Sequence, residues 1–372
     1  MYARKRNRGI PMNLLEQARS IINEVDDEMA RLFVRRMEAV AMVAEYKQAN
    51  GLPILDESRE EQVIRNGSKR VEDDELRAYY VNFIRNNMAI SRNYQHRLLQ
   101  GMRVAFAGTE GAFAHIATGK LFPTAQRVAF GNFADAYHAV ESGDCDAAVL
   151  PIENSSNGEV GQVTDLMFSG NLYINAAYDL AVSHSLLAIP GATKNDIQKV
   201  VSHPQALGQC GEYIRKNGWH EEEYVNTALA AKMIAEKGDR TMAAIAGEEA
   251  AQLFGLEVLE RNINASRTNT TRFAVFSRAE NRRETARMGE HFILVFTVKN
   301  EAGALAKAID IIGRYGFNMG NLRSRPMKEL LWQYYFYVEA EGNIHGNEGK
   351  AMLHDLEQYC DRLKVVGTFV LP

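Results

Sequence analysis

The feature that most limits the fold of this chain is an abrupt change of hydrophobic pattern near Met102. Before it, from residue 13 to about residue 100, apolar side chains recur at helical spacing and almost no segment favours a strand. After it, short apolar runs alternate with amphipathic helical segments, which is the pattern of α/β structure. The chain is therefore predicted to contain an all-helical domain at 13–100, followed by further domains.

The helical part begins with one unusually long segment, whose apolar series runs from Leu14 to about Lys47. The sequence NGLP at 50–53 ends it, and shorter helices are expected at about 57–66 and 73–100. A helix of this length needs partners along all of it, so we expect a second copy of the chain to pack there.

The remainder is predicted to form two domains, at 102–278 and 290–372. In the first, apolar runs such as 147–152 indicate strands that are covered on both faces and end in polar loops, where ligands gather in open α/β sheets. In the second, the order β-α-β-β-α-β predicts a small α+β, ferredoxin-like domain. The polar segment 279–290 is interpreted as the linker between them.

Composition excludes several classes of protein. A net charge of -4 gives no reason to expect nucleic acid, and no apolar run approaches the roughly 20 residues of a membrane helix. The three cysteines are far apart, which favours reduced thiols, a cytoplasmic location and no structural metal. The basic start, residues 1–12, is interpreted as a frayed tail, with Met12 as an alternative start.

Charged residues of the helical part suggest an anion site. Arg36 and Lys47 are 11 residues apart, so they share a helix face at about 16 Å along the axis, a gap that suits a small dianion. Arg19 is rotated roughly 100° from that face and is expected to serve a different site, such as one completed by a partner chain.

The segment 15–98 resembles the all-helical chorismate mutase domain. The resemblance rests on EVDDEMARLFVRR at 24–36 and on a spaced set of residues, namely Lys47, Pro53, Asp56, Arg59 and Glu60. It implies a substrate site in which Arg36, Arg59 and the partner's Arg19 hold two carboxylates. The other implied contacts are Lys47 and Gln95 on the ether oxygen, Glu60 on the ring hydroxyl, Ser91 beside a carboxylate, and Asp56 in the same set.

These residue types suit a Claisen rearrangement, which requires neither a base nor a nucleophile. The reaction requires a flexible dianion held in a chair-like conformer. It also requires donors placed where negative charge develops as the C–O bond breaks. Arginine forks bind carboxylates bidentately.

Residues 102–278 resemble prephenate dehydratase. Five segments occur in the family's order: GTEGAFAH at 108–115, PIENSSNGEVG at 151–161, VSHSLLAIPG ending at 191, SHPQALGQC at 202–210 and TTRF at 270–273. The resemblance implies two lobes like those of a periplasmic binding protein, with the TTRF strand returning to the first lobe across the cleft.

The loss of hydroxide from prephenate needs a donor on the leaving oxygen, and Thr271 is the expected catalytic residue. Arg272 either neutralises a carboxylate or serves as a structural ion-pair partner, and Phe273 belongs to the binding set. The cleft rim is expected to consist of Glu153, Asn154 and Ser155, opposite Ser202, His203 and Gln205 of the other lobe. For Glu153, structural and catalytic roles stay open. No metal-ligand spacing accompanies the histidines.

Residues 290–372 resemble the ACT regulatory domain, which binds phenylalanine. The segment NEAGAL at 300–305 would receive an amino-acid carboxylate at a helix start. The implied effector set is Gly303, Ala304, Leu305, Arg323, Ser324, Arg325 and Pro326. Arg323 stands where the family has glutamate, and Ala302 stands where proline is usual, which leaves the effector response open.

The preferred interpretation is a bifunctional enzyme of phenylalanine biosynthesis that has chorismate and prephenate as substrates, needs no cofactor, and forms a homodimer or higher oligomer. A solute sensor with a helical dimerisation arm is one alternative. A mutase fused to a decarboxylase that does not aromatise prephenate is another. The first is disfavoured by the charged set of the helices, and the second by the complete TTRF segment.

Overall fold

The structure, a computed structural model, describes residues 13–266, 268–282, 288–327 and 333–371. The tail at 1–12 and part of the linker at 279–290 lie outside the described residues. The chain divides into two compact units, Met1–Gly101 and Met102–Pro372.

The first unit is helical, and the three predicted helices are confirmed. They are α1 (Leu14–Ala49), α2 (Glu57–Ser68) and α3 (Asp74–Gln100). Helix α1 starts with a capping box, in which Asn13 accepts from the backbone of Glu16 and Glu16 accepts in return. Asp56 and Asp73 cap the next two helices through their carboxylates.

Helix α1 leaves most of its apolar residues in solvent. Ala44 is its one buried residue. Large side chains along its N-terminal two thirds are 43–82% exposed, namely Leu14, Leu15, Ile21, Ile22, Val25, Met29, Leu32, Phe33 and Val34. Exposed apolar surface of this extent is typical of an interaction site.

The second unit begins with alternating strands and helices, as predicted. Between residues 103 and 277, the described strands are β1 (Arg103–Ala107), β2 (Gln126–Phe130), β3 (Ala147–Asn154), β4 (Gly158–Glu159), β5 (Tyr173–Ala181), β6 (Ser185–Ala188), β7 (Lys199–Ser202), β8 (His220–Glu223), β9 (Met242–Ala246), β10 (Glu257–Glu260) and β11 (Thr270–Ser277). The helices are α4 (Phe113–Leu121), α5 (Phe133–Glu141), α6 (Gly161–Ser169), α7 (Pro204–Gln209), α8 (Gly211–Asn217), α9 (Thr227–Lys237) and α10 (Glu248–Phe254).

Two sheets give this region two lobes. Strands β1 to β5 and β11 lie in one sheet, and β6 to β10 form the other in the order β10-β6-β9-β7-β8. The chain crosses between the sheets at 182–184 and returns at 261–269. Each sheet has its own apolar core, centred on residues such as Val149 and Phe276 in the first and Val200 and Ile245 in the second. The predicted return of the TTRF segment to the first lobe is confirmed, since β11 lies between β3 and β5.

The C-terminal region has the element order predicted from residue 290 onward. Its elements are β12 (Glu290–Val298), α11 (Ala304–Arg314), β13 (Asn318–Pro326), β14 (Tyr334–Glu341), α12 (Asn347–Glu357) and β15 (Cys360–Val370). Both helices contribute to one core with the four strands.

The sheet of the C-terminal region continues into the first lobe, which the sequence pattern did not indicate. Among the described residues, ten strands form one sheet, in which β15 lies beside β5 through the parallel pair Gly367 and Ile174. A Cβ atom added at Gly367, where φ is 150°, would lie 2.0 Å from the carbonyl oxygen of Ile174. Glycine at this position therefore allows the two backbones to meet.

Candidate functional site

A polar cluster joins α1 to α3 in the helical unit. The guanidinium of Arg36 donates to the Oγ of Ser91 and, at 3.3 Å, to the carbonyl of Asn87. Ser91 and Gln95 are each 6% exposed, and the amide nitrogen of Gln95 donates to the carbonyl of Ser91 at 3.4 Å. Within the described chain, Gln95 Oε1 and Asn87 Oδ1 are buried and have no hydrogen-bond partner. Buried polar atoms of this kind are costly, so the cluster suits a polar ligand.

Of the other predicted residues of this unit, Arg59 and Glu60 lie on α2, and Lys47 contacts the segment just before it. Lys47 Nζ donates to the carbonyl of Ile54 at 2.5 Å, and Arg59 Nη1 donates to Gln62 Oε1 at 2.5 Å. Glu60 pairs with Arg92, a residue that the sequence patterns did not single out. Arg19 is exposed on α1.

Asp56 has a local role that the sequence interpretation did not assign. Its carboxylate accepts from the backbone N–H of Arg59 at 3.0 Å and from Ser58 Oγ at 2.9 Å. The backbone hydrogen bond, followed by that from Ser58, lowers the pKa of Asp56. Asp56 is therefore the cap of α2, and its expected contact with the substrate stays a prediction.

A cavity of about 340 Å³ lies where the two lobes of the second unit meet. Its polar lining consists of amides, hydroxyls and imidazoles, namely Asn154, His184, His203, Gln205, Gln209, Asn226, Thr227, Asn269 and Thr271. No lysine, arginine, aspartate or glutamate is among the described residues that line it. The volume suits a small organic molecule.

Helix starts surround this cavity. Its lining includes Phe113, Phe133 and Thr227, the first residues of α4, α5 and α9, and the residues around the start of α7. Backbone N–H groups at helix starts, together with the helix dipole, favour negative charge. The cavity can therefore accept an anion although neither lysine nor arginine is among its described lining residues.

Thr271 lies in this cavity, as the sequence interpretation requires. Its Oγ1 accepts from Asn154 Nδ2 at 2.9 Å. The same amide nitrogen donates to Asn269 Oδ1 at 2.9 Å, and Asn269 Nδ2 donates to Gln209 Oε1 at 3.1 Å. His184 Nε2 lies 2.9 Å from that oxygen. These contacts join β3 and β11 of the first lobe to α7 of the second.

Arg272 faces away from the cavity, because side chains alternate along β11. It donates to both carboxylate oxygens of Asp179 at 2.9 and 3.2 Å, and to Glu339 at 3.3 Å. The bond to Asp179 raises the pKa of Arg272. Of the two roles that the sequence left open, the structure favours the ion-pair partner. Phe273, the next residue, lines the cavity again.

Glu153 does not line the cavity either, which corrects its expected place on the rim. It lies opposite Arg272 on β3 and pairs with Arg323. Arg323 also lies 3.5 Å from Glu159. Arg325 donates to Glu159 at 2.6 Å and to Asp165 at 2.9 Å. Two arginines of the expected effector set are thus bound to the first lobe.

Two serines of the predicted rim are also engaged elsewhere. Ser155 Oγ accepts from the backbone of Thr270 and donates to the carbonyl of Thr268, both at 2.9 Å. Ser202 is fully buried and donates to the carbonyl of Ile245 at 2.5 Å. Both hydroxyls hold the backbone, which corrects their expected contact with a ligand. His203 and Gln205 do line the cavity.

His184, Gln209 and Asn269 are cavity residues to which the sequence interpretation assigned no role. Gln209 stands inside the quoted segment SHPQALGQC, and Asn269 directly precedes TTRF, so the signal was present. Their mutual contacts depend on how the two lobes meet, which no local pattern specifies. His184 belongs to the crossing segment at 182–184.

The remaining residues of the expected effector set fall into two groups, one at the start of α11 and one on β13. Leu305 lines a cavity of about 360 Å³ that also includes Asn300 and Glu301. Gly303, with φ at 83°, precedes Ala304, the first residue of α11. Ser324 lies opposite Phe336 on β14, whereas Pro326 lines a different groove of about 740 Å³.

Two further features are absent from the described ranges. No group of three or more His, Cys, Asp or Glu residues there has an arrangement that could hold a metal ion. Likewise, none of the helices described combines the length and the apolar character needed to span a membrane.

Comparisons with known proteins agree with these two sites. Residues 18–96 match the model of chorismate mutase type II, and residues 104–281 match that of prephenate dehydratase. A bifunctional chorismate mutase/prephenate dehydratase of Enterobacter agglomerans is 29% identical over 374 residues, which is 96% of each chain. The arogenate dehydratase/prephenate dehydratase 2 of Arabidopsis thaliana is 35% identical over 277 residues, which is 72% of each.

A solved structure shows the same fold in the second unit. The prephenate dehydratase of Arthrobacter aurescens, in complex with L-Phe, is 27% identical and has a TM-score of 0.67. It covers 72% of this chain and 90% of its own. Because both family models match in the same order as in the bifunctional relatives, the chain belongs to the bifunctional chorismate mutase/prephenate dehydratase family.

Proposed function

We propose that this chain rearranges chorismate to prephenate in its helical unit and converts prephenate to phenylpyruvate in the cavity between its two lobes. The two reactions are consecutive, because the product of the first is the substrate of the second. The observation that carries the proposal is the Thr271 hydroxyl, which lies in an uncharged cavity surrounded by helix starts. A neutral donor beside an anion site suits the departure of hydroxide from a dianion.

In the helical unit, arginines would hold the two carboxylates of chorismate and keep its reactive ends together. Arg36 is already directed toward Ser91 on α3, and Arg59 is on α2. Lys47 and Gln95 would donate to the ether oxygen, where charge builds as the C–O bond breaks. Glu60 would accept from the ring hydroxyl.

A second copy of the chain is part of this proposal. The exposed apolar residues of α1 support it, since a helix with this face open would otherwise expose large side chains to water. The partner's Arg19 would then complete the carboxylate contacts. A homodimer is the smallest assembly that provides this arrangement.

In the cavity, helix starts would hold the carboxylates of prephenate, and Thr271 would donate to the ring hydroxyl. The bond to the ring carboxylate breaks and releases CO2, and its electron pair forms the new ring double bond. The ring C–O bond breaks as the ring becomes aromatic, and the departing hydroxide takes a proton from solvent to form water. Thr271 supports the leaving oxygen by a hydrogen bond and keeps its own proton.

The C-terminal region is proposed to be a ferredoxin-like ACT domain that binds L-phenylalanine. Support comes from its β-α-β-β-α-β order and from the relative solved in complex with L-Phe. Feedback inhibition would then act on the cavity through β13. A cytoplasmic location is part of the proposal, and the three free thiols fit it.

The test is the product formed by the purified protein from chorismate and, separately, from prephenate. Phenylpyruvate, identified by its ultraviolet spectrum, is expected from both substrates, with less formed when phenylalanine is added. Lys47→Ala should lower the rate of turnover with chorismate at least 100-fold and leave the rate with prephenate unchanged. A product of prephenate other than phenylpyruvate, or no turnover, would contradict the proposal.

A further inference from the structure

A chain of hydrogen bonds leads from His184 to Thr271 and crosses from one lobe to the other. It runs through Gln209, Asn269 and Asn154 in that order. Asn154, Asn269 and His184 are 9%, 3% and 3% exposed. Each link is a hydrogen bond between buried or partly buried groups, and its direction can be worked out from the groups at its ends.

The direction at Asn154 is set by backbone groups. Its Oδ1 accepts from the N–H of Ser156 and from the N–H of Asn157, both at 3.0 Å. Backbone N–H groups can only donate, so the other end of the amide must be the NH2. That NH2 therefore donates to Thr271 Oγ1 at 2.9 Å. Thr271 accepts this bond, which leaves its own hydrogen for a group in the cavity.

The direction at the far end follows in the same way. Asn269 Oδ1 accepts from Asn154, so Asn269 donates to Gln209 Oε1 through its NH2. The same oxygen faces His184 Nε2 at 2.9 Å, and an amide oxygen only accepts. His184 must therefore carry its hydrogen on Nε2. Both lone pairs of Gln209 Oε1 are then occupied.

The surroundings of His184 agree with a neutral ring in this tautomer. Its Nδ1 is buried and lacks a hydrogen-bond partner among the described residues. Burial lowers the pKa of His184. The ring of Phe113 lies edge-on at 5.7 Å. His203 is the other titratable residue in the described lining of the cavity.

We propose that Asn154 and His184 are positioning residues that make the Thr271 hydroxyl a donor toward the leaving oxygen. Asn154 occupies the acceptor side of this hydroxyl, and His184 holds Gln209, and through it Asn269, in the matching orientation. The network also leaves the NH2 of Gln209 for a ligand. This inference rests on the proposed dehydratase reaction in the cavity.

Asn154→Asp tests the direction with almost no change of shape. An ionised carboxylate can only accept, so it would take the hydrogen of Thr271 away from the substrate and repel Asn269 Oδ1. The expected result at pH 8 is a fall of 100-fold or more in kcat for prephenate, with KM changed less than 5-fold. Because the backbone N–H groups of Ser156 and Asn157 favour the ionised carboxylate, this loss should persist across the pH range of the assay.

Asn154→Ala is the matched control, because it removes the donor and adds no titrating group. It should lose less activity than Asn154→Asp, because it adds no acceptor that would take the hydroxyl hydrogen of Thr271 away from the substrate. The spontaneous acid reaction of prephenate is subtracted with a blank that contains no enzyme. Equal losses of kcat in Asn154→Asp and Asn154→Ala would overturn the assignment of direction.

His184 is tested by restoring a donor with another side chain. His184→Leu should lower kcat about 10-fold with little change in KM, and His184→Gln should regain most of that loss by donating an amide N–H. His220→Leu, at an exposed position, is the control. Equal rates for His184→Leu and wild type would overturn the role of His184, as would equal losses in the Leu and Gln variants.

These outcomes are separate from failure of the proposed function. If the wild-type enzyme does not convert prephenate to phenylpyruvate, the proposed function itself is wrong. If the wild-type enzyme does so but the variants behave as the controls do, only the positioning roles of Asn154 and His184 are wrong. Mutase activity and the urea midpoint of each variant show that it is folded.

Discussion

The two faces of the β3–β11 strand pair differ sharply although they are made of neighbouring residues. On one face Asn154 and Thr271 form hydrogen bonds between neutral groups inside the cavity. On the other, Glu153 and Arg272 form ion pairs with residues of the C-terminal region. On each of the two strands, a neutral hydrogen-bonding residue is therefore adjacent to a charged residue that points to the opposite face.

The difference suggests why the charges are on the far face. A carboxylate or guanidinium in the cavity would compete for the Thr271 hydroxyl or neutralise the ligand in the wrong place. On the opposite face the same charges hold the C-terminal region against the first lobe through Arg323, Arg325 and Arg272. The residues proposed to act in the reaction and those that attach the C-terminal region to the first lobe thus lie on opposite faces of one sheet.

The largest expected effect follows from removing the hydroxyl on the cavity face. Thr271→Val keeps the shape and deletes the donor, so kcat for prephenate should fall about 100- to 1000-fold. Chorismate should still be consumed, with prephenate accumulating as the product. Thr271→Ser is the control and should retain most of the activity. Loss of both activities in Thr271→Val would contradict separate sites.

Removing the neighbouring charge should affect stability instead. Arg272→Met leaves Glu339, a carboxylate whose pKa is raised by burial, without its arginine, and Asp179 loses its partner as well. The free energy of unfolding should fall by about 2–3 kcal/mol in urea titrations. The kcat for prephenate should change less than 5-fold.

The exposed pair Arg314 and Asp310 supplies the control for that measurement. Its side chains are 61% and 67% exposed, so Arg314→Met should change the free energy of unfolding by no more than about 0.5 kcal/mol. A kcat loss in Arg272→Met as large as that of Thr271→Val would remove the distinction between the two faces.

A smaller effect is expected in the pH dependence of stability. Lys364 on β15 donates to the carbonyl of Met167 at 2.8 Å, and burial lowers its pKa from 10.5 to about 8. Between these values the unfolded chain holds the proton and the folded chain does not, so the free energy of unfolding rises with pH from about 8 to 10.5.

The variant Lys364→Met should lose this contribution. The difference in free energy of unfolding between wild type and variant should grow in favour of wild type across that range of pH, as measured by urea unfolding at several pH values. Lys120→Met, at an exposed position, should leave the pH dependence as it is. A constant difference for Lys364→Met would show that Lys364 titrates normally in the folded protein.

The smallest expected effect is that of Glu153→Gln on catalysis. Its carboxylate lies outside the cavity and pairs with Arg323, so kcat for prephenate should stay within 2-fold of wild type. The neighbouring Asn154→Asp substitution provides the contrast, since one position along the strand should separate no effect from a large one. A 100-fold loss in Glu153→Gln would place this carboxylate in the reaction after all.

Much of the fold could be predicted from periodicity, because helical and strand patterns are local. The three helices, the alternation of strands and helices and the C-terminal element order follow from such patterns, whereas the two lobes were implied by the resemblance to prephenate dehydratase. Thr271 could be predicted from the chemistry that a hydroxyl offers. Treating Glu153, Asn154 and Ser155 as one rim was wrong, since side chains alternate along a strand and only Asn154 lines the cavity.

The other errors have a non-local origin. Ser202 bonds to the carbonyl of Ile245 on the neighbouring strand β9, and the contacts of His184 and Gln209 depend on how the lobes meet. Arg323 finds its partners 170 and 164 residues earlier in the chain, at Glu153 and Glu159. Side chains whose partners are this distant carry no periodic signal.

The pairing of β15 with β5 at Gly367 and Ile174 has a practical consequence for producing the protein as separate fragments. Cutting the chain between β11 and β12 would uncover the edge of β5 on one fragment and the edge of β15 on the other. Unpaired strand edges are templates for association with other chains. Fragments made at this boundary would therefore tend to aggregate, and the catalytic and C-terminal regions are best produced together.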